Sequence, residues 1–183
     1  RQVTIEGITH RLDEPFVVLA TQNPIEQEGV YLLPEAQLDR FLLKVVMHYP
    51  TVEQEMRVLR THKKQTDPAP ALLSAEVIEH GRKLVERVHV SEELLAYIIA
   101  LVRFTRDHAQ VALGGSPRAS LSLLKASQAR ALLQGRDYVL PDDIRHLAQG
   151  VLSHRILLHP EAELGGMMPA EIIRQGLDKV RYG

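Results

Sequence analysis

The chain has 183 residues, 45% of them apolar and 4% aromatic, with no Trp, so its core must be built from Leu, Val, Ile and Ala. Lys and Arg number 22 against 23 acidic residues, which leaves no overall basic field to attract nucleic acid. Cysteine is absent, which excludes disulfides, thiolate metal sites and thiol nucleophiles; no apolar run approaches the roughly 18 residues of a membrane span and no signal-peptide pattern opens the chain, so a cytoplasmic protein is the default expectation.

The opening RQVTIEG reads as the interior of a longer polypeptide. RQVTIEGITHRL holds two β-prone stretches around Glu6-Gly7, a pair suited to a tight hairpin turn. Pro15–Ala20 and Phe41–Met47 are continuous apolar runs, expected of strands buried on both faces. Between them Pro34, with Glu35 behind it, favours one or two helical turns to Arg40. Strands joined by a loop and helix read as neighbours in a parallel sheet, whose other strands would lie upstream, because two alone are not stable.

Thr51 and Gln54 form a capping box that starts a helix to about Lys64. Gln65–Pro70 is a linker by its proline content, and beyond it the pattern is helical. Helices are expected from Ser74 to about Val88, and from Ser91 to about Asp107 with Leu94, Leu95, Ile98, Leu101, Val102 and Thr105 on one face. A third starts at Ser116-Pro117 after Gly114-Gly115, carries Leu121, Leu124, Gln128 and Leu132 on one face, and stops at Gly135. A fourth runs from Pro141 to near Gly150, His154–Leu158 is a short strand or extended tail, and Met168–Val180 is a final helix. The expected architecture is therefore α/β followed by all-α: the end of a parallel-sheet domain over residues 1–64, a linker at 65–70 and a helical domain over 71–183.

Several chemistries find no support. The nine histidines hold no HExxH or HxxxH pair, so a zinc site is disfavoured. No Gly-x-Ser-x-Gly elbow and no G-x-x-x-x-G-K-[ST] phosphate loop are present. Three residues remain. Asn23, just past the first apolar run, carries a neutral amide able to meet a phosphate oxygen or a water, although an Asn before Pro24 is also an ordinary turn former. Arg40 can satisfy helix carbonyls at the end of its helix, or project a guanidinium toward a transferring phosphoryl group. Arg118 sits in the first turn of its helix, where it opposes the dipole; it reads equally as a solvated charge or, with free helix-start amides and Ser122 and Lys125 on a polar stripe, as an anion site.

Together, LATQNPIEQEGVYLLPEAQLDRF and GGSPRASLSLLKASQARAL resemble the MoxR family of AAA+ ATPases, in the same wider clade as the magnesium-chelatase ATPase subunit. The resemblance runs from the RQVTIEG hairpin to about Leu158 and implies a P-loop-type AAA+ core followed by a helical lid. It implies Asn23 as the phosphate-sensing sensor 1, Arg40 as the arginine finger that reaches a neighbouring subunit's ATP, and Arg118 as the sensor 2 of the lid. ATP and Mg²⁺ would be the cofactors, held through upstream residues outside these 183, so this stretch alone should not hydrolyse ATP. The family also implies a hexameric homo-oligomer, chaperone-like assembly or metal-cofactor insertion in client proteins, and a von Willebrand factor A domain partner. Two other classes compete: a non-catalytic interaction module that uses the helical bundle, and a nucleic-acid motor, which the charge balance and scarce aromatics disfavour.

Overall fold

A computed structural model describes residues 2–22, 33–62 and 70–182. The chain opens with a hairpin of β1 (Gln2–Ile5) and β2 (Ile8–Arg11), paired antiparallel from Gln2↔Arg11 to Ile5↔Ile8. Glu6 and Gly7 take φ of 50° and 81°, the left-handed pair that lets a two-residue turn follow the strand twist. Helix α1 spans Glu35–Leu38 and α2 spans Val52–His62. The capping box at the start of α2 is present, with Thr51 N–H on Gln54 Oε1 at 2.9 Å and Gln54 N–H on Thr51 Oγ1 at 3.3 Å.

The remainder is helical: α3 (Ala75–Val85), α4 (Glu92–Asp107), α5 (Pro117–Leu133), α6 (Pro141–Leu152), α7 (Pro160–Leu164) and α8 (Pro169–Lys179). A short antiparallel pair, β3 (Val111–Leu113) with β4 (Leu157–Leu158), and a 3₁₀ turn at Ser153–Arg155 complete it. Helices α3, α4 and α5 start at Ser74, Ser91 and Ser116, each accepting a backbone N–H through its hydroxyl. Leu123, Ile144, Leu152 and Ile172 are fully buried between α4, α5, α6 and α8, and each such side chain contributes roughly 1.5–3 kcal/mol. Among the described residues no helix is long and apolar enough to cross a membrane.

The overall class is as expected, a small α/β start followed by helices, but three details differ. Pro15–Ala20 and Phe41–Met47 are not strands, with bends at Pro15, Phe41 and Leu42, and Val17, Leu19, Val45 and Met47 are 68%, 91%, 75% and 87% exposed. An apolar run becomes a buried strand only when a ladder partner and a covering layer exist; among the described residues neither run has one, and the Lys44 N–H bonds Gly150 O at 2.8 Å instead. Helix α5 buries Ala119, Ser122, Leu123, Ala126, Ser127 and Ala131, while Leu121 is exposed and Leu124, Gln128 and Leu132 are only half-buried. Small side chains win that face because they let α6 approach closely. Tyr97 joins the expected face of α4 in the core, with Leu95 at its margin; β3 and α7 were not expected from the pattern.

Candidate functional site

The loop before α5 is pressed onto α4. Thr105 Oγ1 donates to Val102 O at 2.6 Å and accepts the Gly115 N–H at 2.9 Å. Arg106 Nε donates to Gly115 O at 2.6 Å. A Cβ on Gly114 would sit 2.6 Å from the Arg106 backbone, so the approach requires glycine there. Ser116 then caps α5, and its hydroxyl accepts the Arg118 N–H at 3.1 Å.

That hydroxyl also lies 3.0 Å from both carboxylate oxygens of Asp39, the residue that ends α1. Arg118 Nη1 is 3.2 Å from Asp39 Oδ2, and Arg155 Nε is 3.0 Å from Oδ1. Asp39 thus anchors two arginines of unlike character. The Arg118 side chain is 55% exposed, so its pair is worth about 0–1 kcal/mol and can exchange. The Arg155 side chain is 1% exposed, and its guanidinium is satisfied on all sides: Nη2 meets the carbonyls of Asp39 and Phe41 and the Ser122 hydroxyl, and Nη1 meets the carbonyls of Leu42 and Val151. Burial pulls the Arg155 pKa below the usual arginine value and Asp39 works against that; a guanidinium stays charged throughout.

His154 lies beside this cluster with Nε2 3.1 Å from Phe41 O, a contact that requires the proton on Nε2. Its Nδ1 is buried without a partner. Burial depresses the His154 pKa below 6.5; the Phe41 carbonyl works in the opposite direction, while the charges of Arg155 and Lys44 lower it further.

Of the expected site residues, Arg40 and Arg118 are described. Arg40 immediately follows Asp39, is exposed, and has no side-chain partner among the described residues. Arg118 contacts Asp39 directly, and Arg40 is the neighbour of Asp39 in the chain. Asn23 and the Glu26–Glu28 loop lie outside the described residues. Two local expectations around Arg118 are corrected. Its amide and that of Ala119 are bonded to Ser116, so the guanidinium, and not free helix-start amides, is what an anion could meet. Ser122 is buried under Arg155 and not part of a polar surface stripe. Arg155 is the residue that sequence reasoning missed; the available signal was an arginine set against the apolar run Ile156-Leu157-Leu158, which needs a partner if it is buried.

The described residues offer an accessible cation that an anion could meet, the Arg118 guanidinium, which is always charged. The phosphate loop that would cradle ATP is not among these 183 residues.

Comparison with known proteins defines the class. Residues 1–43 match the family model of ATPases associated with various cellular activities, and residues 103–175 match the AAA lid domain. The chain belongs to the MoxR-type AAA+ ATPases. It is 45% identical over 181 residues to the YeaC protein of Bacillus subtilis, covering 98% of this chain and 57% of that protein. It is 38% identical to the chaperone MoxR1 of Mycobacterium tuberculosis over 98% of this chain and 50% of that one. A crystal structure of a protein assigned as an ATPase from Cytophaga hutchinsonii superposes with a TM-score of 0.92 at 40% identity, covering 100% of this chain and 58% of the other. The chain therefore spans about half the length of these relatives.

Proposed function

We infer that this chain supplies the finger and lid part of an ATP-hydrolysing MoxR-type ring. Residues 1–64 belong to the ATPase core, 65–70 link, and 71–183 form the lid. Asn23 acts as sensor 1, Arg40 as the finger in the neighbouring subunit's site, and Arg118 as sensor 2. ATP and Mg²⁺ are held by the preceding half of the full-length protein, a hexamer is the working assembly, and residues 1–183 alone show negligible hydrolysis. The output is chaperone-like assembly or metal-cofactor insertion in client proteins in the cytoplasm, with a von Willebrand factor A domain protein as partner.

The observation that supports this reading is that the exposed Arg118 pairs with Asp39, the residue after α1 and directly before Arg40. Phosphoryl transfer needs positive charge placed around the transferring group and little covalent chemistry from the protein. An exposed arginine held by one weak surface pair is available for that purpose, and its departure toward a phosphate would move the lid with it. The test is ATP binding and turnover by the full-length protein with Arg118→Ala. Weaker ATP binding together with slower turnover supports the assignment; unchanged values for both remove Arg118 from the nucleotide site.

A further inference from the structure

We propose that Arg155 is a positioning residue that makes the Arg40 segment a mechanical part of its own subunit's lid, so that lid movement in one subunit carries the finger presented to the next. This rests on the reading of Arg40 given above and adds the element that controls it.

Among the described residues, every hydrogen bond that the stretch 39–44 makes beyond α1 ends on the lid. Arg155 reaches the Asp39 carboxylate and the carbonyls of Asp39, Phe41 and Leu42. His154 holds the Phe41 carbonyl at 3.1 Å. Gly150 accepts the Lys44 N–H, and a Cβ added to it would be in ordinary van der Waals contact with Leu43 Cδ2 at 3.6 Å. Ser116 and Arg118 take the outer side of Asp39.

The two ends of this contact differ in character. The Arg155 end is buried, forked and bonded mainly to main-chain carbonyls, so it fixes the backbone on both sides of Arg40. The Arg118 end is exposed and single. A guanidinium bonded to several carbonyls of one segment resists both sliding and rotation of it, which a single-point ammonium cannot do. Arg118 can therefore leave Asp39 for a phosphate while the Arg40 segment stays attached to the lid through Arg155. Motion of the lid then displaces Arg40, giving a physical route from the nucleotide state of one subunit to the site of its neighbour.

The experiment uses two kinds of full-length subunit mixed in one assembly. One kind hydrolyses ATP but carries Arg40→Ala; the other binds ATP without hydrolysing it and keeps Arg40, so turnover requires the second kind to serve the first. Arg155→Lys, which keeps the charge and loses the fork, is placed in either kind, with a cooperative thermal melt showing that each subunit is folded. The proposal expects turnover to fall at least tenfold when Arg155→Lys sits in the Arg40-donating subunit, with KM for ATP within about twofold, and to stay within about twofold when it sits in the hydrolysing subunit. Equal losses in the two positions would mean a merely structural role and would overturn the proposal, as would no loss in either. His154→Ala, which removes only the Phe41 contact, should show the same asymmetry at smaller size and replaces Arg155→Lys if that variant does not fold; symmetric effects from it are equally fatal. No turnover by the mixture without any change at Arg155 defeats the reading of Arg40 itself, and the proposal falls with it.

Discussion

Arg155 and Asp39 are 116 positions apart in the chain and 3.0 Å apart in space. That pair joins the end of α1 to the 3₁₀ turn after α6, and the exposed finger candidate Arg40 is the next residue along. Replacing Arg155 by Met keeps the volume but removes the charge from Asp39 and the donors from four backbone carbonyls. Breaking a buried pair in this way costs about 3–5 kcal/mol where both partners are desolvated. Asp39 is 20% exposed, so a loss near the lower end, about 3 kcal/mol, is expected in chemical denaturation of the 183-residue chain. A loss below about 1 kcal/mol would show that water replaces the guanidinium freely.

Two glycines should respond oppositely to alanine. Gly81 lies within α3 and an added Cβ meets nothing within 4 Å, so Gly81→Ala should stabilise by about 0.5–1 kcal/mol through chain entropy and helix propensity. Gly114→Ala would push a methyl to 2.6 Å from the Arg106 backbone, costing about 1–3 kcal/mol and shifting the loop that leads into α5 and Arg118. Thermal melts of both variants measure the contrast, and equal signs would contradict the described loop geometry.

Stability should fall on mild acidification because of His154. Its folded pKa is depressed from 6.5, chiefly by burial, so the unfolded chain takes up a proton more readily than the folded one. The stabilisation linked to neutral His154 is fully present above about pH 6.5 and is lost as pH falls through the lower folded value. A melting temperature that declines below pH 6.5, with a shallower decline in His154→Gln, is the expected result. An identical pH profile for the two proteins would show that His154 is not the group responsible.

The lid also depends on a buried carboxylate. Asp143 meets Arg136 through two bonds of 2.7 and 2.8 Å, approaches Arg130 Nε at 3.3 Å, and accepts the Leu140 N–H at 2.9 Å. Burial would raise its pKa, but the Arg136 bonds, the Leu140 N–H and the neighbouring arginines more than offset that, leaving it below 3.8. Its contribution is therefore present above about pH 3.8 and is lost as pH falls below that value. Asp143→Ala should cost about 3 kcal/mol at neutral pH, since it leaves Arg136 and Arg130 facing a partly buried void; denaturation of the variant at pH 7 measures it.

Much of the lid was legible locally. Ser74, Ser91, Ser116 and Pro117 mark helix starts because capping is settled by residues within one turn, and Glu6-Gly7 marks the hairpin for the same reason. The apolar runs Pro15–Ala20 and Phe41–Met47 were read as strands and are not, since a ladder needs neighbours that a local pattern cannot supply. The face of α5 was misread because counting leucines overlooks that Ala and Ser permit the closest helix approach. Arg40 and Arg118 were singled out through their motifs, whereas Arg155 was not: its partners stand at 39, 41, 42, 122 and 151, and no spacing rule connects those positions.

The most direct test of an Arg40-dependent, assembly-coupled ATPase is steady-state ATP hydrolysis by the full-length protein, wild type against Arg40→Ala, alone and in mixtures. The account predicts that the variant folds, binds ATP and loses most turnover, and that mixtures lose activity non-linearly with the fraction of variant because the finger acts on a neighbour. Equal rates for variant and wild type, or a strictly linear fall in the mixtures, would contradict it.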